Sequence, residues 1–241
     1  GQSFTTTQNA FSYVGIRTTA GPHALFGNTR VNDFPAMAVD KSYCGFRGRI
    51  YITYAAQDGS GDAIIQIRSS DDNGSTWSSA NTINISIGRQ NWFPWIAVDD
   101  ITGEVSVVYY SLDQTTGFST NTYVAFSNNG GATWGNIKVS DVSHITAPIP
   151  GFGGGYAGDY IGITSYNGVA YPSWMDDRNG TWQVYFSPVT YPFSVPFDFV
   201  NHTVTGTETW TTDRIIAGTL TIEKGAVLNI QPGVRIQFGP H

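Results

Sequence analysis

The chain has 241 residues, of which 14% are aromatic and only 12% are charged, and its formal net charge is −6. This acidic balance argues against a nucleic-acid partner, because the chain has no basic stripe that could displace counterions from phosphates. No run of about 18 apolar residues occurs, so the sequence predicts no membrane-spanning helix. The single cysteine, Cys44, excludes an intrachain disulfide.

The first predicted unit contains four short strands, at residues 34–40, 48–54, 63–70 and 80–85. These segments are rich in Val, Ile, Tyr and Thr and are bounded by Gly, Asn or Asp, which is typical of β-strands. No window with the periodicity of a helix interrupts them. The unit therefore predicts a four-stranded antiparallel sheet.

The second predicted unit repeats the first, with strands at residues 93–99, 103–109, 122–127 and 135–139. The phrase Phe-Pro-Ala-Met-Ala-Val-Asp that begins the first unit returns at the start of the second as Phe-Pro-Trp-Ile-Ala-Val-Asp. A repeat with a period of roughly 40–60 residues indicates propeller blades or a solenoid array.

A third and more divergent unit follows, with strands at residues 160–163, 168–174 and 181–187. The three units together span about residues 34–198. They predict an all-β fold that contains about three antiparallel, four-stranded propeller blades.

A turn motif, Ser-x-(Asp/Asn)-x-Gly-x-Thr-Trp, connects the third and fourth strands of the first two units. Its Asp or Asn can bond its own backbone, its Gly permits an unusual φ, and its Trp packs onto the sheet. We predict a structural role for these turns, on the face opposite the functional site. The motif residues are Ser70, Asp72, Gly74, Thr76 and Trp77 in the first copy and Ser127, Asn129, Gly131, Thr133 and Trp134 in the second.

The C-terminal region has a different pattern, with short alternating strands predicted at residues 218–222, 226–230 and 234–238. Their spacing resembles the opening rung of a right-handed parallel β-helix; the alternative is a small β-appendage that folds back on the blades. We therefore divide the chain into a propeller segment, residues 1–199, and a β-solenoid-like segment, residues 200–241. Because one rung cannot bury its apolar face alone, we interpret the chain as a fragment of a longer protein.

The turn motif is known as the Asp box or bacterial neuraminidase repeat, and it makes residues 34–190 resemble sialidase-like β-propellers. Phrases at residues 93–99, 158–162 and 174–180 are similar to those of secreted bacterial proteins of the exo-sialidase type. The resemblance implies a secreted or cell-surface protein that binds a glycan or glycoprotein. Asp boxes also occur in propellers without catalytic activity, so the resemblance implies the fold more strongly than an activity.

Other features of that family are not found in this chain. A sialidase would show an Arg-Ile-Pro type motif near its start and a Glu that assists a Tyr nucleophile. The motif is absent, and the only glutamates, Glu104, Glu208 and Glu223, do not stand where that carboxylate is expected. Sialidases also close with six blades, whereas three are visible here. Other domains of the same polypeptide, or another chain, would supply the remainder.

The predicted site lies where the segments leading into the first strands meet the loops between the second and third strands. Arginine pairs can bind carboxylates, aromatic faces can stack on sugars, and two carboxylates can flank a glycosidic bond. The candidate ligand-binding residues are Arg30, Arg89, Trp92, Tyr156 and Arg178, and the candidate catalytic residues are Asp33, Asp159 and Asp177. The alternative role for these arginines and aspartates is to pair between neighbouring blades.

We expect no cofactor, and the scattered residues His23, His144 and His202 do not have the spacing of a zinc site. Calcium at the acidic loops, which carry Asp58 and Asp62, is an alternative, since oxygen ligands are plentiful there.

Three functions remain open from the sequence. The first is carbohydrate recognition or scaffolding at the cell surface. The second is a glycoside hydrolase of the exo-sialidase type, which would use Asp carboxylates and an Arg pair. The third is a purely structural module of a surface protein. The sequence does not decide whether the chain is an enzyme.

Overall fold

The computed structural model describes residues 7–16, 24–25, 29–42, 44–85, 89–113, 119–191, 201–216 and 219–238. Every regular element in these ranges is a β-strand, and the larger sheets are antiparallel, as predicted. The described part of the chain contains no helix with the length and hydropathy of a membrane span.

Sheet I corresponds to the first predicted unit. A two-stranded antiparallel ribbon, β1 (Ala24–Leu25) with β2 (Thr29–Arg30), precedes it. The sheet itself has the order β3-β4-β5-β6, and all four predicted strands are present. Its strands are β3 (Ala36–Val39), β4 (Ile50–Gln57), β5 (Ala63–Ser70) and β6 (Asn81–Thr82).

Sheet II corresponds to the second unit, and its first strand begins at Arg89 rather than at residue 93. The additional residues pair with the end of the second strand, ahead of a bulge between Trp92 and Trp95. Its strands are β7 (Arg89–Val98), β8 (Val105–Asp113), β9 (Ser119–Ser127) and β10 (Gly135–Lys138), and β11 (His144–Ile145) also pairs with β9.

Sheet III corresponds to the third unit and contains β12 (Gly162–Tyr166), β13 (Val169–Asp176), β14 (Gln183–Phe186) and β15 (Val189–Thr190). Both β14 and β15 pair with β13, along the edge that β12 leaves free. They therefore occupy one strand position rather than two. Residues 192–198 of the predicted third unit lie outside the described residues.

The three sheets pack face to face, with sheet II in the middle. Successive residues of β8 show this directly: the Tyr109 hydroxyl accepts a bond of 2.9 Å from the Ile85 amide next to sheet I. The Tyr110 hydroxyl donates to the Met175 carbonyl of sheet III at 2.7 Å. One hydrophobic core, which includes Tyr51 and Trp174, runs through the whole stack.

The C-terminal residues form three parallel strand pairs. The three strands predicted at 218–222, 226–230 and 234–238 are present, and each pairs with an earlier strand that the sequence analysis did not identify. The pairs are β16 (His202–Val204) with β19 (Leu220–Ile222), β17 (Thr207–Trp210) with β20 (Val227–Ile230), and β18 (Arg214–Ile216) with β21 (Ile236–Phe238).

Candidate functional site

A bulge in β7 determines which aromatic side chains face outward at the start of sheet II. The register shifts between Trp92 and Trp95, and Phe93 has a φ of 51°, a strained value for a bulky residue. Pro94 has no amide to donate, so it is tolerated in the bulge. Trp92 and Phe93 both turn inward against Tyr110, whereas Trp95 turns outward. Strain of this kind is often found at functional sites.

Three outward-facing aromatic residues meet at this position, and we call Phe34, Trp95 and Tyr160 the aromatic platform. Tyr160 stacks on Phe34 with a centroid distance of 6.3 Å and meets Trp95 edge to face at 6.2 Å. The three residues are 49%, 40% and 63% exposed, respectively. Each comes from the beginning of a different sheet, so the stacking of the sheets assembles the platform.

Hydrogen bonds between polar groups hold together the segments that carry the platform. The Asn32 side-chain amide donates to the Asp159 side-chain and main-chain oxygens, both at 3.2 Å. Its side-chain oxygen accepts a bond of 3.2 Å from the Phe34 amide. The Tyr156 hydroxyl donates to the second Asp159 carboxylate oxygen at 2.5 Å, and this bond raises the pKa of Tyr156. Asn32 therefore connects the segment that carries Phe34 to the segment that carries Tyr160.

Arg30 and Asp33 flank the same region. The guanidinium of Arg30 lies 4.7 Å from the centre of the Tyr156 ring, and the Arg30 amide donates to the Gly155 carbonyl at 2.8 Å. The carboxylate of Asp33 lies against Gly15, where a Cβ atom would collide with it. Burial, and secondarily the charge of Asp33, raises the pKa of Tyr13.

Two concave surfaces lie along the first strands of the sheets, one at the platform and one at the opposite end. A shallow depression is lined by residues of all three sheets, among them Asn32, Pro94 and Asp159. A groove of about 480 Å³ extends along the first strands of the three sheets, between Met37 and Thr164. The platform therefore lies at one end of the first strands and the groove at the other.

The structure brings together three of the predicted site residues, Arg30, Tyr156 and Asp159, whereas the Asp33 carboxylate lies against Gly15. Trp92 is only 2% exposed and stacks on Tyr110 at 5.4 Å, so it has little surface with which to stack on a sugar. The aromatic faces that are accessible are those of the platform. The side chain of Arg89 lies outside the described residues.

Arg178 belongs to a second cluster, and Asp177, its neighbour in the chain, accepts a bond of 2.7 Å from the Gly180 amide at its main-chain oxygen. The Arg178 guanidinium donates to the buried Asp176 carboxylate at 2.6 Å and to Asp141 at 2.6 Å, and it lies 4.0 Å from the centre of the Tyr185 ring. These bonds raise the pKa of Arg178. Burial raises the pKa of Asp176, but the bonds from Arg178 and Trp174 outweigh this effect and lower it. The Arg178 guanidinium is thus paired with carboxylates of the protein itself, which is the alternative role that the sequence left open.

The acidic loops bond to their own backbone and to a neighbouring sheet. The Asp58 carboxylate accepts from the amides of Ser60 and Asp62, at 2.8 and 3.0 Å. The Asp62 carboxylate accepts from the Gln90 side chain at 2.7 Å. Within the described residues, no group of three His, Cys, Asp or Glu side chains has an arrangement that could hold a metal ion. Calcium binding stays a prediction.

The two turn motifs have the same hydrogen-bond pattern. In the first, the Ser70 hydroxyl donates to Asp72 at 2.8 Å, and the Thr76 amide donates to the same carboxylate oxygen at 2.8 Å. In the second, Ser127 and Thr133 make the equivalent bonds to Asn129, both at 2.9 Å.

The motif glycines follow this pattern as well. Gly74 and Gly131 both have positive φ, and both of their amides donate to the motif serine at 2.9 Å.

The sequence did not predict four residues of this site, namely Asn32, Phe34, Trp95 and Tyr160. The repeated Phe-Pro phrase, in which Phe34 and Trp95 occur, predicts strands at these positions instead. That phrase was the available signal, since a proline beside aromatic residues at the start of a strand indicates an irregular backbone.

Comparison with known proteins gives similarity only at the level of solved structures. No protein-family model matches the chain, and no curated protein matches it. A Hadza microbial sialidase, Hz136, is 16% identical with a TM-score of 0.46, over 73% of this chain and 34% of the sialidase. An α-L-arabinanase of Penicillium chrysogenum complexed with arabinobiose is 14% identical with a TM-score of 0.41, over 71% of this chain and 50% of the enzyme.

A third similar structure is Zg3597, a family 117 glycoside hydrolase of Zobellia galactanivorans. It is 15% identical with a TM-score of 0.41, over 75% of this chain and 57% of the enzyme. The chain thus spans between about one third and just over half of the length of these three proteins.

Proposed function

We propose that this chain is a carbohydrate-recognition module in which the aromatic platform stacks on a sugar ring. The observation that carries the proposal is the exposure of three contacting aromatic rings beside a network of hydrogen-bonding groups. Large apolar side chains that cluster at a surface mark interaction sites. The C–H groups on one face of a sugar ring form an apolar surface that matches such rings.

The polar residues around the platform can orient the sugar ring by hydrogen bonds, which stacking alone cannot do. Asp159 and Tyr156 can each accept a bond from a sugar hydroxyl, since the Tyr156 proton is directed to Asp159 and both groups keep a lone pair. Arg30, beside Tyr156, adds a cationic donor. A few placed polar groups beside apolar surface are the usual composition of a small-ligand site.

The glycoside hydrolase interpretation comes second. Both carboxylate oxygens of Asp159 already accept bonds, from Asn32 and Tyr156, and these bonds also maintain the platform. Asp177 follows Asp176 in the Arg178 cluster rather than in the network of the platform. We therefore propose that Asp159 orients the ligand and does not act as a catalytic residue, and we assign Asp177 no role in the site.

We further propose that sheets I to III are blades of a sialidase-like propeller and that the two turn motifs are Asp boxes. The equal hydrogen bonding of the two turns supports this interpretation. The three parallel pairs support a solenoid of two coils, because β19, β20 and β21 pair in the same chain order with β16, β17 and β18. A secreted or cell-surface location goes with this proposal.

Isothermal titration of a panel of neutral and acidic oligosaccharides tests the function. We expect binding by the unmodified chain and a loss of about tenfold or more in affinity for Trp95→Ala and Tyr160→Ala, since tenfold corresponds to about 1.4 kcal/mol. The matched control is Tyr166→Ala, because Tyr166 is 65% exposed and Tyr160 63%. Absence of binding across the panel, or equal effects of Tyr160→Ala and Tyr166→Ala, would contradict the proposal.

A turnover assay on the same panel separates recognition from hydrolysis. Recognition predicts no release of sugar by either the unmodified chain or Asp159→Asn. Sugar release that is abolished in a folded Asp159→Asn variant would instead favour the glycoside hydrolase.

A further inference from the structure

His144 is a buried histidine in the interface between sheets II and III. It begins β11, where it pairs with Thr120 of β9, and it is only 6% exposed. Its ring meets Tyr110 of sheet II and Trp182, which precedes β14 of sheet III, edge to face, both with centroid distances of 6.4 Å. The function proposed above does not use this residue.

The hydrogen bonds of His144 identify its protonation state. The Thr146 hydroxyl donates to the Thr120 hydroxyl at 2.9 Å, so the imidazole must donate in the contact of 3.3 Å between its Nε2 atom and Thr146. The proton of the neutral ring therefore lies on Nε2, and Nδ1 carries a lone pair. Nδ1 is buried and has no partner among the described residues. A second proton would make Nδ1 a charged, buried donor without an acceptor, which is unfavourable.

Titratable and charged groups from both sheets face this imidazole. They are Tyr110 of sheet II and Asp176, Asp177 and Arg178 of sheet III. Asp176 already accepts several bonds from Arg178, whereas the bond that Asp177 accepts within the described residues is at its main-chain oxygen. Burial lowers the pKa of His144, and the charges of the two aspartates oppose this effect. A protonated imidazole is therefore stabilised by turning toward Asp177.

Tyr110 connects His144 to the bulge that precedes Trp95 of the platform. Trp92 stacks on Tyr110 at 5.4 Å, and Phe93, which has the strained φ of 51°, meets it edge to face at 6.3 Å. Both residues thus depend on the position of the Tyr110 ring. When the imidazole moves away from that ring, the residues that hold Trp95 in place lose packing.

We propose that protonation of His144 turns its ring from Tyr110 toward Asp177 and thereby lowers the affinity of the aromatic platform for sugar. This inference rests on the proposed function. Because the folded pKa of His144 is below its usual value of 6.5, the affinity is complete above pH 6.5 and is lost as the pH falls through the folded value. The chain would thus bind its sugar at neutral pH and release it in an acidic environment.

Nuclear magnetic resonance in the absence of sugar tests the coupling of His144 to the platform. Between pH 8 and pH 4.5, we expect the His144 ring to titrate with a midpoint below 6.5 and the Trp95 indole signal to move with the same midpoint. His144→Gln replaces the Nε2–H donor without titrating and should abolish this movement. His202→Gln is the control, because His202 lies in the C-terminal strand pairs, and it should change neither titration.

Two results of this titration would overturn the inference. One is a Trp95 signal that does not follow the titration of His144. The other is a Trp95 signal that keeps the same movement in His144→Gln. Near-UV circular dichroism verifies the fold of each variant, and His144→Phe, which keeps a flat ring beside Tyr110, is a second variant that does not titrate.

Isothermal titration at pH 8 and pH 5 measures the effect on binding, with the oligosaccharide of the neutral and acidic panel that the unmodified chain binds most tightly. We expect at least about threefold weaker binding at pH 5, as when about one third of the chain is in the binding form. His144→Gln should bind equally at both pH values. The variant isolates His144 from Glu104, whose pKa burial raises to about 7.

The two experiments separate the inference from the proposed function. An equal loss of affinity at pH 5 in the unmodified chain and in His144→Gln would contradict the inference alone. Absence of sugar binding at both pH values would contradict the proposed function, whereas the titration without sugar decides the coupling between His144 and Trp95.

Discussion

Sheets I and III are the two ends of one stack, and they differ in what lies on their outer faces. Both consist of short antiparallel strands with similar repeated sequences. On sheet I, the segment of residues 7–16 covers Tyr54, which is fully buried. On sheet III, Val184 and Phe186 remain largely exposed. Because side chains alternate along a strand, each of these sheets has an inner and an outer face. The outer face contributes to stability only where another segment of the chain, such as residues 7–16 on sheet I, covers it.

The largest expected effect compares one residue from each outer face. Tyr54→Ala should lower the free energy of unfolding by about 3 kcal/mol, because it removes a buried ring on which Phe11 and Tyr13 pack. Val184→Ala should change it by less than about 0.5 kcal/mol. Urea unfolding measures both. Equal effects would mean that the outer face of sheet III is covered in solution.

The second prediction concerns Glu104, whose buried carboxyl lies near the junction between sheets II and III. Asp99 accepts bonds from Ser165 and Gly168 of sheet III, at 3.1 and 2.9 Å. Glu104 is 1% exposed and has one oxygen without a partner in the described structure. Burial, together with the charge of Asp99, raises the pKa of Glu104 from 4.5 to about 7.

Because the folded pKa of Glu104 exceeds the unfolded value, its contribution to stability is complete below pH 4.5 and is lost as the pH rises to about 7. Glu104→Gln should remove this dependence. Between pH 4.5 and pH 8, its free energy of unfolding should gain about 3 kcal/mol relative to the unmodified chain, since one pKa unit corresponds to about 1.4 kcal/mol. Urea unfolding at both pH values measures the difference, and a difference independent of pH would show that Glu104 has the same pKa in the folded and the unfolded chain.

The third prediction concerns the covering segment itself. Phe11→Ala should destabilise the chain by about 1 kcal/mol, less than Tyr54→Ala, because Phe11 is only partly buried. It should also change the fluorescence of Trp77, which Phe11 contacts edge to face. Phe186→Ala is the matched control on sheet III. If Phe11→Ala has no more effect than this control, the segment does not cover sheet I in solution.

The smallest expected effect concerns the turns after the third strands, which sheets I and II share. Hydrogen bonds from Thr76, followed by those from Ser70, lower the pKa of Asp72 to about 2. Asp72→Asn should be tolerated at pH 7, because Asn129 accepts the same bonds in the second turn. Asp72→Ala removes the acceptor and should lower the thermal midpoint further than Asp72→Asn does.

The contribution of Asp72 also has a defined pH dependence. Because its folded pKa is below its unfolded value of 3.8, the stabilisation is present above pH 3.8 and is lost as the pH falls to about 2. The difference between the unmodified chain and Asp72→Asn should shrink over this window. A constant difference in thermal midpoint would show that the charge of Asp72 has no part in the turn.

Local sequence patterns predicted the strands and the turns well. Alternation of apolar and polar residues is visible within a single strand, and the turn motif contains all of its own bonding partners, such as Ser70 and Asp72. The convergence of Arg30, Tyr156 and Asp159 also followed from the repeat, because equivalent positions in stacked sheets lie side by side.

The remaining features depend on non-local or irregular structure. Simple alternation could not predict that the neighbours Trp92 and Phe93 both face inward, since a bulge with a strained Phe93 interrupts the pattern. The sequence left open whether Arg178 binds a ligand or pairs within the fold, because its partner Asp141 is distant along the chain. Strands β16 to β18 are very short, and each is separated from its partner by other strands, so no local signal marked them.

The most direct test of the account is the response of Trp95 to a bound sugar. The chain has seven tryptophans, whose indole N–H groups give separate signals in a proton–nitrogen correlation spectrum. During titration with an oligosaccharide that binds, we predict that the Trp95 signal shifts most, while the signals of buried Trp92 and Trp174 stay in place. A saturable shift at other tryptophans with Trp95 unchanged would contradict the assignment of the aromatic platform as the binding site.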